Sequence, residues 1–255
     1  MRKRPVITEY RYYADIPEKI RIVQLTDLHS CPYGKEGRYL LDAVKEAGPD
    51  LIFITGDMFN KLEPDNSEVL DIISRLPSIA PVFYSLGNHE MSYKRLFKEE
   101  YKQFLESLKK AGICLLDDET TLIQVKGTKL EIGGFTGDRE GYARFVKTKI
   151  YKKMLAPGTK GPIRLLLSHN PEFYKSYEFS DWDVIFCGHL HGGVVRIPFF
   201  RGLVSPSGRL FPKYSKGYFQ LKNGKKMVVS AGLGMHTIKI RIFNPPELCL
   251  LTVGK

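Results

Sequence analysis

Five short apolar runs punctuate the chain, at 22–25, 51–54, 82–86, 163–167 and 184–187, each followed at once by small and polar residues. Runs this short and unbroken predict strands buried on both faces. Between and after the first three runs, apolar residues recur at helical spacing. Leu40, Ala43, Val44 and Ala47 form one stripe, ended by Gly48-Pro49, and Val69, Leu70, Ile73 and Leu76 form a second, stopped by Pro77. Phe97, Tyr101, Phe104, Leu105 and Leu108 form a third, with Lys109-Lys110 in its last turn and Gly112 just beyond. These stripes are core-facing surfaces with no function of their own.

From Thr120 the pattern changes. Residues 121–125 and 130–135, joined at Lys126-Gly127, read as a hairpin in a second sheet. A long loop rich in glycine, proline and aromatics follows at 197–219. Leu221-Lys222-Asn223-Gly224-Lys225 is a hairpin turn leading into 227–230, and strands at 238–243 and 248–253 complete the tail. Two sheets with helices outside both are expected, in one domain spanning 1–255.

A hydrophobic content of 43% supports a full core, and 26% charged residues argue for a soluble chain. No apolar run approaches the roughly 18–20 residues needed to span a bilayer. The basic start, Met1-Arg2-Lys3-Arg4-Pro5, is not followed by an apolar segment, so no secretory signal is expected. Cys31, Cys114, Cys187 and Cys249 lack metal-type pairing, and three of them lie in apolar strands; a reduced, cytoplasmic setting follows. The net charge is +11, and no aspartate or glutamate occurs from 184 through 246. That segment holds Arg196, Arg201, Arg209, Lys213, Lys216, Lys222, Lys225, Lys226, Lys239 and Arg241. Such a field draws phosphate esters, nucleic acid or an anionic membrane face.

The candidate chemistry sits at the ends of the apolar runs. In order these read Asp27-Leu28-His29, Gly56-Asp57, Gly87-Asn88-His89-Glu90, Ser168-His169-Asn170 and Gly188-His189-Leu190-His191-Gly192, and they absorb five of six histidines. Asp27, Asp57 and Asn88 follow at intervals of 30 and 31 residues, the length of one strand–helix–strand unit. Each candidate ligand is therefore expected where a strand ends and a loop begins, the rim where open α/β sheets bind ligands. Asp27, His29, Asp57, Asn88, His169, His189 and His191 are too many for one tetrahedral zinc but suit two metals sharing a carboxylate. Mixed imidazole and carboxylate ligation favours Mn, Fe, Zn or Co over Mg or Ca.

These motifs resemble the calcineurin-like metallophosphoesterases, whose pattern is D-x-H, G-D, G-N-H-[DE], H and G-H-x-H, and the match runs from about Ile22 to Val253. Leu167-Ser168-His169-Asn170-Pro171, Leu210-Phe211-Pro212-Lys213-Tyr214 and Arg241-Ile242-Phe243-Asn244-Pro245-Pro246-Glu247 are further similar to the YkuE/YaeI-like bacterial phosphodiesterase branch. The resemblance implies a four-layer αββα sandwich of two mixed β-sheets flanked by helices. It implies a phosphodiesterase or pyrophosphatase with a dinuclear centre. Asp27, His29 and His191 would hold one metal, Asn88, His169 and His189 the other, with Asp57 bridging. The metals would supply a hydroxide nucleophile, and His89 would protonate the leaving oxygen or steady transition-state charge. Glu90 would orient a histidine, with a plain surface carboxylate as the other reading. A small, lipid-linked phosphate ester is the implied substrate, with peripheral contact to an anionic membrane.

Where many relatives continue the second motif as G-D-x-x-D, this chain has Asn60, which points to a changed surround of the site. His236 is read as structural rather than pocket-lining, and Cys31 as loop packing. Two other readings exist: a nuclease of the same fold, disfavoured because no nucleic-acid-binding module is attached, and a non-catalytic protein-binding scaffold, disfavoured because no ligand is lost. The 196–219 loop is expected to form one wall of the pocket and to choose the substrate's non-phosphate part.

Overall fold

A computed structural model describes residues 4–138, 140–142, 151, 161–193, 211–235 and 241–255. Within them the strands are β1 (Val6–Tyr12), β2 (Ile20–Leu25), β3 (Leu51–Ile54), β4 (Val82–Tyr84), β5 (Cys114–Leu115) and β6 (Thr120–Val125). They continue as β7 (Thr128–Phe135), β8 (Ile163–Ser168), β9 (Val184–Cys187), β10 (Gly217–Gln220), β11 (Lys226–Val229) and β12 (Glu247–Val253). The helices are α1 (Arg38–Ala47), α2 (Ser67–Ser74), α3 (Asn88–Leu96), α4 (Lys98–Lys110) and α5 (Tyr174–Phe179).

All five apolar runs contain strands. In each, adjacent side chains face opposite ways and both are buried, which is why the runs are continuous. Ile22, Phe53, Leu165 and Phe186 point into a core between two sheets. Their neighbours Val23, Ile52 and Ile54 instead meet Leu40 and Val44 of α1, Ile73 of α2 and Phe104 of α4. Leu166 and Ile185 meet Phe173, Tyr177 and Trp182 on the far side. The result is helix, sheet, sheet, helix in four layers.

The first sheet has the order β1-β12-β2-β3-β4-β5, and β2 through β5 run parallel. The second has the order β10-β11-β9-β8-β7-β6, with β7, β8, β9 and β11 parallel. Parallel strands put all their C-terminal ends on one edge, so β2, β3 and β4 end beside β8 and β9 at a common rim. Among the described residues no helix is long and apolar enough to cross a membrane.

Four local expectations change. Asn88 and His89 do not lie in a loop; they open α3, because Glu90 accepts the Gly87 N–H at 2.9 Å and turns the chain into a helix. On α2 the buried stripe is Val69, Ile72 and Ile73, while Leu70 is half-buried and Leu76 lies in a separate 3₁₀ turn, where Pro77 is tolerated. Of the tail strand expected at 238–243, residues 238–240 lie outside the described residues, and of Arg241 to Phe243 Ile242 alone makes an isolated bridge. Phe243 is left-handed at φ 50, and Pro245-Pro246 then remove two backbone donors. The long loop yields its last residues to β10, while 194–210, including Arg196, Arg201 and Arg209, lie outside the described residues, as do His236 and Lys239.

Candidate metal centre

At the common rim, the loops after β2 and β3 lie side by side. Asp27 donates its N–H to Gly56 O at 3.0 Å, and His29 donates to Asp57 O at 3.1 Å. The loop after β4 is equally close. A Cβ on Gly56, which sits at φ 86, would collide with the Gly87 backbone, and a Cβ on Gly87 would collide with the Asp57 carboxylate. Only glycine lets these two turns pack against each other. From the second sheet, His189 donates its N–H to both Asp27 carboxylate oxygens, at 3.2 and 3.0 Å.

Packing this tight is held against a cost. Asp27, His29, Asp57, His189 and His191 all adopt left-handed backbone, with φ between 48 and 68. Non-glycine residues there cost on the order of 1–3 kcal/mol each, and such outliers gather at functional sites. That signal is absent from the sequence, since aspartate and histidine are compatible with ordinary turns.

The side chains converge. Asp27, His29 and His191 bring one ligand atom each within 4.8 Å of one another; so do Asp57, His169 and His189, and so do His29, Asp57 and His89. Asp27 Oδ1 lies 3.3 Å from His191 Nε2, 3.7 Å from His29 Nε2 and 3.8 Å from His169 Nε2. Asp57 Oδ2 lies 3.1 Å from His169 Nε2, 3.9 Å from His89 Nε2 and 4.0 Å from His29 Nε2. Asn88 Oδ1 is buried and makes no hydrogen bond, and His169 Nε2 is buried facing the Asp57 carboxylate. Its other nitrogen fixes the His169 ring, since Nδ1 lies 2.7 Å from the carbonyl oxygen of Thr55 and donates to it.

The electrostatics follow from burial and crowding. Burial opposes charge on Asp27 and Asp57, but the surrounding imidazoles hold both carboxyls well below the usual carboxylate range. Burial likewise pulls the His169 imidazole down, yet Asp57 and Asp27 outweigh it and raise His169 to about 9. His191 goes the other way: burial dominates, and its nitrogen is neutral with a lone pair to give. Two buried carboxylates facing imidazole nitrogens and an amide oxygen, with no lysine or arginine partner among the described residues, form a donor set that fits cations.

Glu90 is neither a surface carboxylate nor a histidine's partner. It is fully buried and accepts four hydrogen bonds, from the N–H groups of Asp57 (2.8 Å), Met58 (2.9 Å) and Gly87 (2.9 Å) and from the Tyr84 hydroxyl (2.9 Å). Burial and the nearby Asp57 charge raise its pKa. It ties the Asp57 turn to the Asn88 turn. Asn60, the departure in the second motif, pairs through its side chain with exposed Glu63 at 3.0 Å, away from the ligand atoms. Cys31 packs at the edge of the first core, as expected.

The tail supplies residues whose roles the sequence did not give. Arg241 spends its guanidinium on the carbonyls of Ala231, Gly232 and Gly234, and Asn244 donates to His191 O at 2.6 Å. Buried Glu247 accepts from Ala231 N–H at 2.7 Å and pairs with Lys216 at 2.6 Å. Tyr142 lays its ring 5.3 Å from that of His189. Two cations of the acid-free segment, Arg241 and Lys216, are thus consumed as struts. Lys222, Lys225 and Lys226 lie at the far end of β11 from the rim.

The chain is 31% identical over 191 residues to Phosphodiesterase YaeI of Escherichia coli (strain K12), covering 73% of this chain and 66% of that protein. It is 25% identical over 242 residues to the metallophosphoesterase Cj0846 of Campylobacter jejuni, covering 94% of this chain and 60% of that one. It therefore spans two thirds or less of the length of these two relatives. It is also 23% identical over 282 residues to the UDP-2,3-diacylglucosamine pyrophosphatase LpxG of Chlamydia muridarum, covering 91% and 83%. Residues 20–193, which include every residue of the rim motifs, match the profile of the Calcineurin-like phosphoesterases, and the chain belongs to that family.

Proposed function

We propose that this chain is a dinuclear metal-dependent phosphohydrolase cleaving phosphate esters of the diester or pyrophosphate type. The observation that carries this reading is the pair of buried carboxylates, Asp27 and Asp57, ringed by imidazoles with no lysine or arginine paired to either among the described residues. We assign Asp27, His29 and His191 to one ion, Asn88, His169 and His189 to the other, and Asp57 to both. The position of Asp57 Oδ2 between His29 and His169 supports the bridge. The orphaned Asn88 oxygen and the buried His169 nitrogen facing Asp57 support the second set. Mn, Fe, Zn and Co all suit these donors. When bound, such a pair activates water at neutral pH and neutralises phosphoryl oxygens.

His89 lies within the cluster, and its own hydrogen bond argues against ligation. Its Nδ1 accepts the Lys61 N–H at 3.1 Å, which places the ring proton on Nε2, the nitrogen facing Asp57. A protonated nitrogen has no lone pair for a metal. The same bond makes a doubly protonated ring costly, because an Nδ1 proton would meet the Lys61 N–H. Of its two possible roles we favour the fixed donor that steadies charge on the phosphoryl or leaving oxygen. Glu90 positions Asp57 and Asn88 without touching substrate.

The test is a metal count with a substrate panel. Protein purified without chelators is expected to carry two ions per chain. Loaded with Mn²⁺, it is expected to hydrolyse bis-p-nitrophenyl phosphate or a lipid-linked pyrophosphate faster than p-nitrophenyl phosphate. Two bound ions with no turnover of any of the three overturns the hydrolase reading.

A further inference from the structure

A groove of about 180 Å³ is lined by residues that adjoin the His169 and His189–His191 motifs in the chain. One side is made by residues in or next to the ligand motifs. Pro171 and Glu172 follow His169-Asn170, and Leu190 lies between His189 and His191, about 3.8 Å along the chain from each. The opposite wall is Phe211, Lys213 and Tyr214, with Tyr174 joining the two sides. Tyr174 and Tyr214 meet edge to face at 5.2 Å, and the Lys213 ammonium stands 4.9 and 4.8 Å from their ring centroids. Lys213 makes no ion pair among the described residues, whereas Lys216 pairs with Glu247 and Arg241 is spent on backbone carbonyls. Phe211 is 62% exposed and sits at φ 49, so an apolar ring is displayed to solvent from a strained backbone.

We propose that this groove is a subsite for one planar ring, aryl or heteroaryl, on the part of a phosphodiester that stays on phosphorus. The proposal rests on the hydrolase reading above. Its volume holds roughly six water-sized groups, enough for one ring and too little for a pair of acyl chains. Tyrosine and phenylalanine faces with a cation beside them suit a flat π-system better than a flexible chain, whose ordering costs entropy. The ring packs against Phe211 and Tyr214, Lys213 meets its face or an anionic substituent, and the phosphoryl group lies at the ligand cluster.

The experiment compares phenyl, methyl and hexyl 4-nitrophenyl phosphates with the Mn²⁺-loaded full chain. The leaving group is the same in all three, so differences in kcat/KM report the retained group. The phenyl ester is expected to exceed the methyl ester by roughly tenfold and the hexyl ester by less. Phe211→Asn, which suits the left-handed backbone, and Tyr214→Leu are expected to bring the phenyl-to-methyl ratio close to one. Phe179→Ser, on the exposed face of α5, leaves it unchanged. Equal rates for phenyl and methyl in the parent overturn the subsite while the hydrolase reading stands, and hexyl matching phenyl overturns the ring in favour of a chain. If no ester is cleaved, the hydrolase reading fails, and calorimetric titration with phenylphosphonate and methylphosphonate decides the groove. Tighter binding of the phenyl compound, lost in Phe211→Asn, supports it, and equal binding overturns it.

Discussion

The two halves of the centre are held by opposite devices. Under the Asp57 and Asn88 turns sits one buried anion, Glu90, which gathers backbone N–H groups from both. Behind the Asp27 and His191 turns sit donors from the tail: Arg241 gathers carbonyls of the 231–234 loop, and Asn244 gathers those of His191 and Gly193 at 2.6 and 3.3 Å. The Arg241-bound loop in turn hydrogen-bonds the Thr26 and Asp27 carbonyls. An anion organises turns that offer N–H groups, and a guanidinium and an amide organise turns that offer carbonyls. The contrast teaches that each strained turn is fixed by a side chain of complementary polarity. One clamp is local to its motif and the other is more than forty residues away.

The largest effect is expected where the halves meet. Asp57→Ala removes the one carboxylate assigned to both ions, so elemental analysis should show both lost and hydrolysis abolished. One ion retained in Asp57→Ala would mean the halves do not share Asp57. His89→Gln comes next. Loss of such a donor lowers turnover by about 10²–10³, while the metal count stays near that of the parent. Loss of an ion in His89→Gln would place the imidazole among the ligands after all.

Glu90→Ala tests the anionic clamp. It leaves three buried N–H groups and the Tyr84 hydroxyl without their acceptor, a loss on the order of 3–5 kcal/mol by denaturant titration. Glu90→Gln keeps one acceptor oxygen and should recover part of that stability, with metal lost first from the Asn88 half. Equal stability of the Ala variant and the parent would remove Glu90 from the argument.

Protonation sharpens the comparison further. The folded pKa of His169, about 9, lies above its ordinary 6.5. The metal-free fold therefore has its full contribution from this imidazolium below about pH 6.5 and loses it as pH rises through about 9. The loss is on the order of 3 kcal/mol. Asp27 and Asp57, depressed in the fold, contribute above the usual carboxylate range, and that contribution disappears as pH falls toward their folded values. Chelated protein should thus show an alkaline drop in Tm between about pH 6.5 and 9 that protein loaded at His169 does not. A flat profile for the chelated protein would show that no proton resides there.

How much of this was legible in the sequence follows the same division. The five strand ends, the sandwich and the motif residues were readable because buried parallel strands leave continuous apolar runs and glycine marks close turns. The opening of α3 at Asn88 was missed, although Glu90 three residues past Gly87 is a helix-start signal. Left-handed backbone at Asp27, Asp57 and three histidines leaves no compositional trace. The tail was misread for a stronger reason. Arg241 entered as part of a positive field, yet its charge is spent on carbonyls, and only three-dimensional proximity reveals which cations are struts and which, like Lys213, still face solvent.

The tail clamp carries the smallest expected effect and the most specific one. Asn244 is 1% exposed and its amide reaches the backbone of His191 and Gly193, not their side chains. Asn244→Ala removes two neutral hydrogen bonds, a loss of about 1–2 kcal/mol in stability, far below that expected for Glu90→Ala. Its consequence for the site should exceed that figure. His191 sits at φ 49, and the Asn244 bond helps hold its carbonyl in that turn. Once released, the residue can relax toward ordinary backbone and withdraw its imidazole from Asp27. Metal titration of Asn244→Ala should therefore weaken one of the two binding steps, the one served by Asp27, His29 and His191, and leave the other near the parent value. Asn244→Asp keeps the size but puts an acceptor opposite two carbonyls, so it should be worse than alanine. If both steps weaken together in Asn244→Ala, the centre responds as one unit, and the two clamps differ in chemistry but not in what they hold.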